Sequence, residues 1–175
     1  MSSLQKFHRR TNNAPVVKLI GSEAPVAGAG FYLGFAGDGT SYMYVAPKST
    51  EASSLAWGSY GTVRGTVSTT DGLANTNTLA GFGQAAHPPA YAAKNLTTGG
   101  YNTWYLPAIA ELTTLYSNKA ATPFSTANSF GNYYYWSSTE LSGNYAKRYN
   151  FTNGTINNNN KNTPSVIRAI RRLVI

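Results

Sequence analysis

The sequence offers few side chains for acid–base or nucleophilic chemistry. It contains no cysteine, which excludes a thiolate nucleophile, a disulfide framework and a cysteine-based metal site. The two histidines are the only conventional general bases near neutral pH. His8 lies in a polar N-terminal stretch and His87 precedes two prolines, so neither has an evident partner. We therefore expect no enzymatic activity and assign no catalytic residue.

A metal site has equally little support in the sequence. Calcium sites need several oxygen ligands that carry carboxylate charge. The six acidic residues are instead scattered along the chain, at Glu23, Asp38, Glu51, Asp71, Glu111 and Glu140. We expect that the protein binds no metal and no cofactor.

Hydrogen-bonding chemistry is concentrated near the C-terminus. Between residues 141 and 165 the chain combines tyrosines and cationic side chains with many Asn, Thr and Ser residues. Aromatic rings give a large contact area at low entropic cost, and Asn and Thr give adaptable hydrogen bonds, a mixture that antibody loops also use. The predicted ligand-binding residues are Ser142, Asn144, Tyr145, Lys147, Arg148, Tyr149, Thr152, Thr155, Asn157, Asn159, Thr163 and Ser165.

A β-hairpin is the element that could position these side chains. Asn153-Gly154 predicts a two-residue turn, since both central residues of such a turn need positive φ. In that register Phe151 lies opposite Ile156, and both are expected to point to the core. Lys147 would then break strict alternation, which predicts a bulge upstream. The other face, expected to meet solvent or ligand, carries Arg148, Asn150, Thr152, Thr155, Asn157 and Asn159.

Other strand signals occur on both sides of the middle third of the chain. Phe31–Phe35 and Tyr42–Ala46 enclose turn-forming residues and predict a hairpin. The aromatic run at 133–138 favours a strand, and residues 165–175 predict a closing strand. The glycine-punctuated segment 57–72 is typical either of short strands or of an ordered long loop.

Two short helices are predicted between the hairpins. Pro88-Pro89 suits the first turn of a helix, where proline loses no hydrogen bond. Ile109, Leu112 and Leu115 recur at helical spacing after Pro107. Two helices between antiparallel β-hairpins give an α+β fold class.

Three motifs resemble the C-type-lectin-like fold of the formylglycine-generating-enzyme type. They are GYNTWYLPAIAEL at 100–112, YYWSSTE at 134–140 and VIRAIRR at 166–172, in the order found in that family. The resemblance implies a C-type-lectin-like domain over residues 28–175. Residues 1–27 are then an N-terminal extension, either a peripheral strand or an arm that docks on an assembly.

Within these motifs we expect a scaffold role rather than catalysis. The bulky apolar residues are suited to core packing. We expect a structural ion pair for Glu140, with Arg168 or Arg171 as its partner. Relatives place Ser or Thr where this chain has Ala108, so the α-helical N-cap lacks its oxygen, at a cost of ~1 kcal/mol unless another group replaces it. The predicted scaffold residues are Trp104, Leu106, Pro107, Glu111, Trp136, Ser137, Ser138, Glu140, Arg168 and Arg171.

The resemblance also implies a function. Enzymes of this fold use cysteines, which this chain lacks. The variable proteins of diversity-generating retroelements, found in phages and bacteria, display mutated residues near the C-terminus of the same fold. Mutagenesis acts there at template adenines, and asparagine codons begin with two adenines, which fits the Asn-rich residues 150–162. Relatives without such a retroelement can be Asn-rich in this hairpin too, so diversification stays open.

We therefore expect a phage-borne receptor-binding or adhesion protein of the virion, made in the host cytoplasm. The N-terminus has no apolar run typical of a signal peptide or membrane anchor; outside a virion the expected location is cytoplasmic. The expected partners are a host-surface protein or glycan, and other virion subunits through residues 1–27; a homo-oligomer could also form. The alternative is a structural virion subunit, a decoration or tail-tip protein, whose hairpin faces a neighbouring subunit.

The basic charge does not favour a nucleic-acid partner. The chain carries a net charge of +8, but its basic residues are dispersed, and only residues 6–10 and 168–172 are dense in Lys and Arg. Proteins that neutralise phosphates gather such residues on one face or helix. We expect a solvated basic surface, with attraction to anionic glycans or cell surfaces left open.

Overall fold

Four α-helices and two β-sheets form the part of the chain that the computed structural model describes, residues 18–122 and 124–174. This content confirms the predicted α+β class. The strands are β1 (Phe31–Phe35), β2 (Ser41–Val45), β3 (Ala52–Leu55), β4 (Tyr134–Glu140), β5 (Tyr145–Asn150), β6 (Thr155–Asn160), β7 (Ser165–Ile167) and β8 (Ile170–Val174). The α-helices are α1 (Gly72–Ala80), α2 (Pro88–Lys94), α3 (Ile109–Asn118) and α4 (Phe124–Ala127); short 3-10 turns occupy Lys48–Thr50 and Thr98–Gly100.

The strands are arranged in a three-stranded sheet, β1-β2-β8, and a five-stranded sheet, β3-β7-β4-β5-β6. The two predicted hairpins, β1–β2 and β5–β6, are antiparallel. The pairing of β4 with β7 is parallel, which the sequence did not indicate. The single closing strand predicted over residues 165–175 is divided, because the chain leaves one sheet after Ile167 and enters the other at Ile170.

Both predicted helices are present, as α2 and α3, and two others were not predicted. Helix α1 contains Gly, Asn and Thr residues with weak helix propensity. Tertiary contacts hold it instead: the Leu106 N–H donates to the Thr76 hydroxyl at 3.0 Å, and that hydroxyl donates to the Leu106 carbonyl at 3.1 Å. Asp71 caps the helix by accepting from the Ala74 N–H.

The start of α3 shows how the missing cap at Ala108 is replaced. The Thr139 hydroxyl accepts from the Ile109 N–H at 3.0 Å, and the Thr69 carbonyl accepts from Ala110 at 2.9 Å. Glu111 accepts from the Ala108 N–H at 2.8 Å, as the capping-box position predicts. Groups from a distant strand and a loop thus satisfy the N–H groups that a cap oxygen would serve.

Two main groups of buried side chains join the sheets to the helices. One contains Tyr135, Phe151 and the apolar face of α3; the other contains all three tryptophans of the chain. The predicted anchors Trp104, Leu106 and Trp136 are fully buried. Tyr135 and Trp136 are neighbours on β4, so the two groups pack on opposite sides of β4 and β5 and fix their position.

Residues 1–17 of the predicted extension lie outside the described residues, which begin at Lys18. Residues 21–24 contact the three-stranded sheet: the Gly21 N–H donates to Tyr32 O at 2.7 Å, and Glu23 forms a bridge with Phe31. The division at residue 27 stays a prediction. In the described ranges, none of the helices has the length and apolar character needed to cross a membrane.

Candidate binding surface

The β5–β6 hairpin has a longer turn than predicted. Six consecutive residue pairs join the strands, from Tyr145 with Asn160 to Asn150 with Thr155, leaving residues 151–154 as a four-residue loop. The Gly154 N–H donates to Asn150 O at 2.8 Å and closes the loop. Gly154 has φ of +77°, but Asn153 does not have positive φ. The predicted two-residue turn is therefore wrong, because it needs positive φ at both positions.

The longer loop shifts the register by two residues, so Tyr149 lies opposite Ile156. Side chains alternate with a period of two along a strand, so an even shift leaves each residue on its predicted face. Phe151 is buried as predicted, but the prediction for Ile156 is wrong, since its side chain is 50% exposed. Tyr116 of α3 packs on Tyr149 and Phe151 at ring distances of 5.3 and 5.5 Å. The core ends there, and β6 lies beyond it.

Tyr149 must be removed from the predicted ligand-binding set. Its side chain is 5% exposed and belongs to the core group that contains Tyr135 and Phe151. Alternation along β5 explains this position, because Tyr149 lies on the side of the strand opposite Arg148. A ligand on the polar side of the hairpin cannot reach it.

The remaining predicted residues do not form one continuous surface. Tyr145 and Lys147 lie on the side opposite Arg148, and the Lys147 ammonium donates to the side-chain oxygen Oδ1 of Asn158 at 3.4 Å. The β5–β6 register is regular, so the prediction of a bulge upstream in this hairpin is wrong; the register shift in this region lies between β4 and β5, from Trp136 to Glu140. The side that carries the polar residues, which we call the polar face, consists of Arg148, Asn150, Thr155, Asn157 and Asn159.

Other predicted residues lie at the ends of the hairpin. The Ser142 hydroxyl accepts from the N–H groups of Asn144 and Tyr145, which orders the β4–β5 turn. Thr163 donates its N–H to Asn160 O at the start of the β6–β7 connection. Thr152 is exposed in the four-residue loop at the opposite end. These residues border the polar face and shape the turns.

Arg148 is the central cation of the polar face. Its guanidinium carbon lies 3.8 Å from the centre of the Tyr134 ring, and Nη1 donates to the Ser165 hydroxyl at 3.1 Å. Its Nε is buried and has no hydrogen-bond partner in the described ranges. Burial lowers the pKa of Arg148, but a guanidinium stays charged at neutral pH. The charge is therefore fixed in position while part of its hydrogen-bonding capacity is unused.

A cavity of about 600 Å³ adjoins this arginine. Tyr134 and Ser165 each contact Arg148 and also line the cavity, so the cavity and the polar face are continuous. Of the cavity residues only Ser165 was predicted, because the walls come from three distant segments that no spacing in the sequence connects. They are Lys48, Glu51, Ser53, Ser54, Tyr133, Tyr134, Pro164, Ser165 and Val166.

Ser54 at the cavity wall has a strained backbone. Its φ of +60° is the only positive value for a non-glycine residue among those described. It lies between the pairs Ala52–Ile167 and Leu55–Ser165, where the β3–β7 register shifts. Such a conformation costs roughly 1–2 kcal/mol for a residue with a Cβ, and strained residues cluster at ligand sites. The strained residue accommodates the register shift at this wall of the cavity.

A buried ion pair supports the hairpin at its Tyr145–Asn160 end. Lys161 Nζ lies 2.6 Å from Glu140 Oε1, and both side chains are inaccessible to solvent. Glu140 also accepts from the N–H groups of Arg64 and Gly65, and Lys161 donates to Thr62 O. The prediction that Glu140 pairs with Arg168 or Arg171 is wrong, because the fold brings the end of β6 to Glu140.

The two arginines have other partners. Arg168 Nη1 donates to Glu51 Oε1 at 2.8 Å, and the Tyr135 hydroxyl donates to the same oxygen at 2.9 Å. Burial, followed by the Glu51 charge, raises the pKa of Tyr135 well above its usual value, so the phenol remains a donor. Arg171 donates to Ala29 O and stacks on Tyr101. Arg168 thereby fixes Glu51, which is part of the cavity wall.

His87 has partners that the sequence did not reveal. Its ring is buried; Arg64 Nε donates to His87 Nε2 at 3.1 Å, and Nδ1 lies 3.4 Å from Trp57 O. Burial lowers the pKa of His87 to about 4, so the imidazole is neutral at pH 7. These contacts describe a structural histidine. Within residues 18–122 and 124–174, no three His, Asp or Glu side chains converge as metal ligands would.

Comparison with known proteins identifies the family. No curated protein matches the chain. The family model described as the Lcl C-terminal domain matches residues 47–171, which is well over half of the chain and includes the cavity, the hairpin and the buried ion pair. The match confirms the C-type-lectin-like resemblance drawn from the motifs at 100–112 and 134–140. The chain belongs to the Lcl C-terminal domain family.

Proposed function

We propose that the protein is a non-enzymatic adhesion domain that binds a host-surface protein or glycan through the polar face and the adjoining cavity. The observation that carries this proposal is Arg148. Its partly exposed guanidinium is held by Tyr134 and Ser165 at the junction of the two features. A positioned and accessible cation suits a ligand that presents carbonyl, hydroxyl or anionic oxygen atoms.

The neighbouring residues support binding rather than packing. Asn157 and Asn159 on β6 are partly exposed, and the cavity adds serine hydroxyls and the half-exposed ring of Tyr133. Amides and hydroxyls can donate and accept hydrogen bonds, and an exposed aromatic ring supplies apolar contact area. Together they provide the polar and aromatic groups that a glycan or a protein loop would contact.

The scaffold supports the display of variable side chains. The polar face lies on strands that are fixed from the opposite side by Tyr149 and Phe151, and at the Tyr145–Asn160 end of the hairpin by the buried Glu140–Lys161 pair. Exposed positions on such strands tolerate substitution, because little of the folding free energy depends on them. The phage setting rests on the resemblance to variable proteins of diversity-generating retroelements. We propose that the domain acts on a virion and attaches it to its host.

The test replaces three residues of the polar face together, Arg148→Ala, Asn157→Ala and Asn159→Ala. We expect adsorption of the protein, or of virions that carry it, to host cells to fall at least tenfold, because the central charged anchor is lost. The matched control replaces three residues on the other side of the hairpin, Tyr145→Ala, Lys147→Ala and Asn158→Ala. It should adsorb like the wild type, and both variants should keep the wild-type melting temperature.

Two results would overturn the proposal. Unchanged adsorption by the polar-face variant would show that these residues do not bind the host. Equal losses in both variants would show that binding is not confined to the polar face. If particles that carry the polar-face variant fail to assemble, the hairpin faces a neighbouring subunit and the structural-subunit function replaces adhesion.

A further inference from the structure

Strand β6 forms an open edge of the five-stranded sheet. Its sequence, Thr155–Asn160, contains no charged residue and no proline, and its register with β5 is regular over six pairs. Proteins normally block exposed edges with lysine, proline or a bulge, because the unpaired backbone groups of an edge can pair with another strand. Here β6 has none of these blocks.

The other edges in the described ranges are protected. The outer side of β1 is bridged to Glu23; β8 is bridged at Ile170 to Tyr105 and carries the charged Arg172 beyond that bridge. Strand β3 has four residues and is interrupted by the register shift at Ser54. The contrast shows that an open edge is a particular property of β6 and not of the fold as a whole.

The hydrogen-bond pattern identifies the backbone groups that are available. The Lys161 N–H donates to Asn144 O, so in the alternating antiparallel ladder residues 159, 157 and 155 face β5, and residues 156, 158 and 160 face outward. Asn160 is already satisfied: its N–H donates to the Asn159 side chain at 2.8 Å, and its carbonyl accepts from Thr163. The outward N–H and C=O groups of Ile156 and Asn158 remain.

We propose that β6 pairs with β6 of a second copy of this chain, antiparallel about a two-fold axis at Asn157. In this register Ile156 of each copy lies opposite Asn158 of the other, and all the outward groups of both residues gain a partner. The register also places the two Asn157 side chains opposite each other, where primary amides can both donate and accept.

The chemistry of the strand favours a second copy over another extended segment. Because the strand carries no charge, it does not attract a charged segment. Its side-chain amides both donate and accept hydrogen bonds, so they are complementary to the same amides in a second copy. Ile156, half-exposed in the single chain, is covered by the neighbouring strand. A pairing of one short strand lies at the small end of protein interfaces, so we expect a weak dimer. The charge of +8 on each chain opposes association, so added salt should strengthen it.

The dimer has a consequence for adhesion, and this consequence rests on the proposed function. A two-fold axis perpendicular to the sheet places the polar faces of both copies on the same side, next to each other. Two adjacent weak sites that engage one surface gain affinity through effective concentration. The pairing itself does not depend on whether the polar face binds a host.

The test uses sedimentation velocity over a range of protein concentrations with two substitutions at one position. Asn158→Pro removes an outward N–H without removing a bond to β5, whereas the matched control Asn158→Ala keeps that N–H and removes only the side chain. We expect the wild type and N158A to dimerise with increasing concentration and N158P to remain a monomer. Ile156→Lys, which adds an edge charge at an exposed position, should also remain a monomer while retaining the wild-type circular dichroism and melting temperature.

The proposal is overturned if the wild type is a monomer at every concentration, or if N158P and I156K dimerise like the wild type. Loss of the dimer in N158A would also overturn it, since the side chain and not the backbone would then make the contact. Failure of the adhesion proposal is recognised separately with Arg148→Ala, which leaves β6 unchanged. Unchanged adsorption of that variant would overturn the adhesion proposal, whether or not the protein dimerises.

Discussion

Two arginines of this domain each stack on a tyrosine ring but differ in the hydrogen bonding of Nε. Arg171 lies 3.9 Å from the centre of the Tyr101 ring, and Arg148 lies 3.8 Å from that of Tyr134. Burial lowers the pKa of both. Arg171 Nε donates to Ala29 O at 2.8 Å, whereas Arg148 Nε has no partner in the described part of the chain. Stacking on an aromatic ring therefore does not distinguish the scaffold arginine from the arginine of the candidate site; the two differ in the hydrogen bonding of Nε and in burial, since Arg171 is buried and Arg148 is partly exposed.

The largest expected effect concerns Lys161, the scaffold cation whose charge is fully paired inside the protein. Lys161→Ala leaves Glu140 buried without its counter-charge, and breaking a buried ion pair from one side costs about 3–5 kcal/mol. We expect the free energy of unfolding, measured in urea, to fall by that amount. Lys147→Ala, which removes an exposed cation of the same hairpin, should change it by less than about 0.5 kcal/mol. Equal losses of unfolding free energy in the two variants would contradict a scaffold role that is specific to Lys161.

A second test uses pH. Burial holds the pKa of His87 at about 4, below its ordinary value of 6.5. A histidine with a lowered pKa in the folded state takes up its proton first in the unfolded chain. Its contribution to stability is therefore complete above pH 6.5 and is lost as the pH falls to about 4, by at most roughly 3 kcal/mol. The difference between the stability curves of the wild type and His87→Gln should show this slope; a constant difference from pH 7 to 4 would contradict it.

The two arginines can be compared directly by truncation. Arg171→Ala leaves Ala29 O unpaired and removes stacking from a buried site, so we expect a loss of about 2 kcal/mol in unfolding free energy. Arg148→Ala removes a partly buried cation with an unpaired Nε and should cost less than about 1 kcal/mol. Thermal and urea unfolding of the two variants measure the difference. A larger loss for Arg148 would assign it to the scaffold.

The smallest expected effect tests whether the geometry of Arg148, and not only its charge, contributes to ligand binding. Arg148→Lys keeps the charge but loses the planar stacking on Tyr134 and the fork of donors, so ligand binding should weaken about tenfold while stability is unchanged. Host-cell adsorption of the purified variant provides the measurement. Binding equal to that of the wild type would mean that charge alone, without geometry, is what the ligand recognises.

Local signals in the sequence predicted much of the fold. Turn formers and β-rich runs predicted the β1–β2 and β5–β6 hairpins, and proline at Pro88 and the spacing of Ile109 and Leu112 predicted α2 and α3. Helix α1 was not predicted, because it depends on the contacts of Thr76 with Leu106 and not on propensity. The parallel β4–β7 pairing joins segments that are distant in the sequence and has no local signal.

The candidate site was less predictable, for the same reason. Alternation on β5 and β6 placed Arg148, Asn157 and Asn159 on one face even though the loop length was wrong. The cavity and the partner of Glu140 depend on long-range packing: Glu140 contacts Lys161, and the cavity joins the segments around Ser54, Tyr134 and Ser165. Neither the charges of these residues nor their spacing along the chain predicts those contacts.

The four-residue loop at 151–154 suggests a rule for engineering this domain as a display framework. Adding or removing two residues at the hairpin tip shifts the register but returns every side chain to the same face. An insertion of one residue would instead turn Arg148 or its neighbours on β6 towards the interior unless a bulge absorbed it. Libraries that vary the length of this tip in steps of two should therefore keep the displayed residues outside, whereas libraries with odd steps should yield mostly misfolded chains.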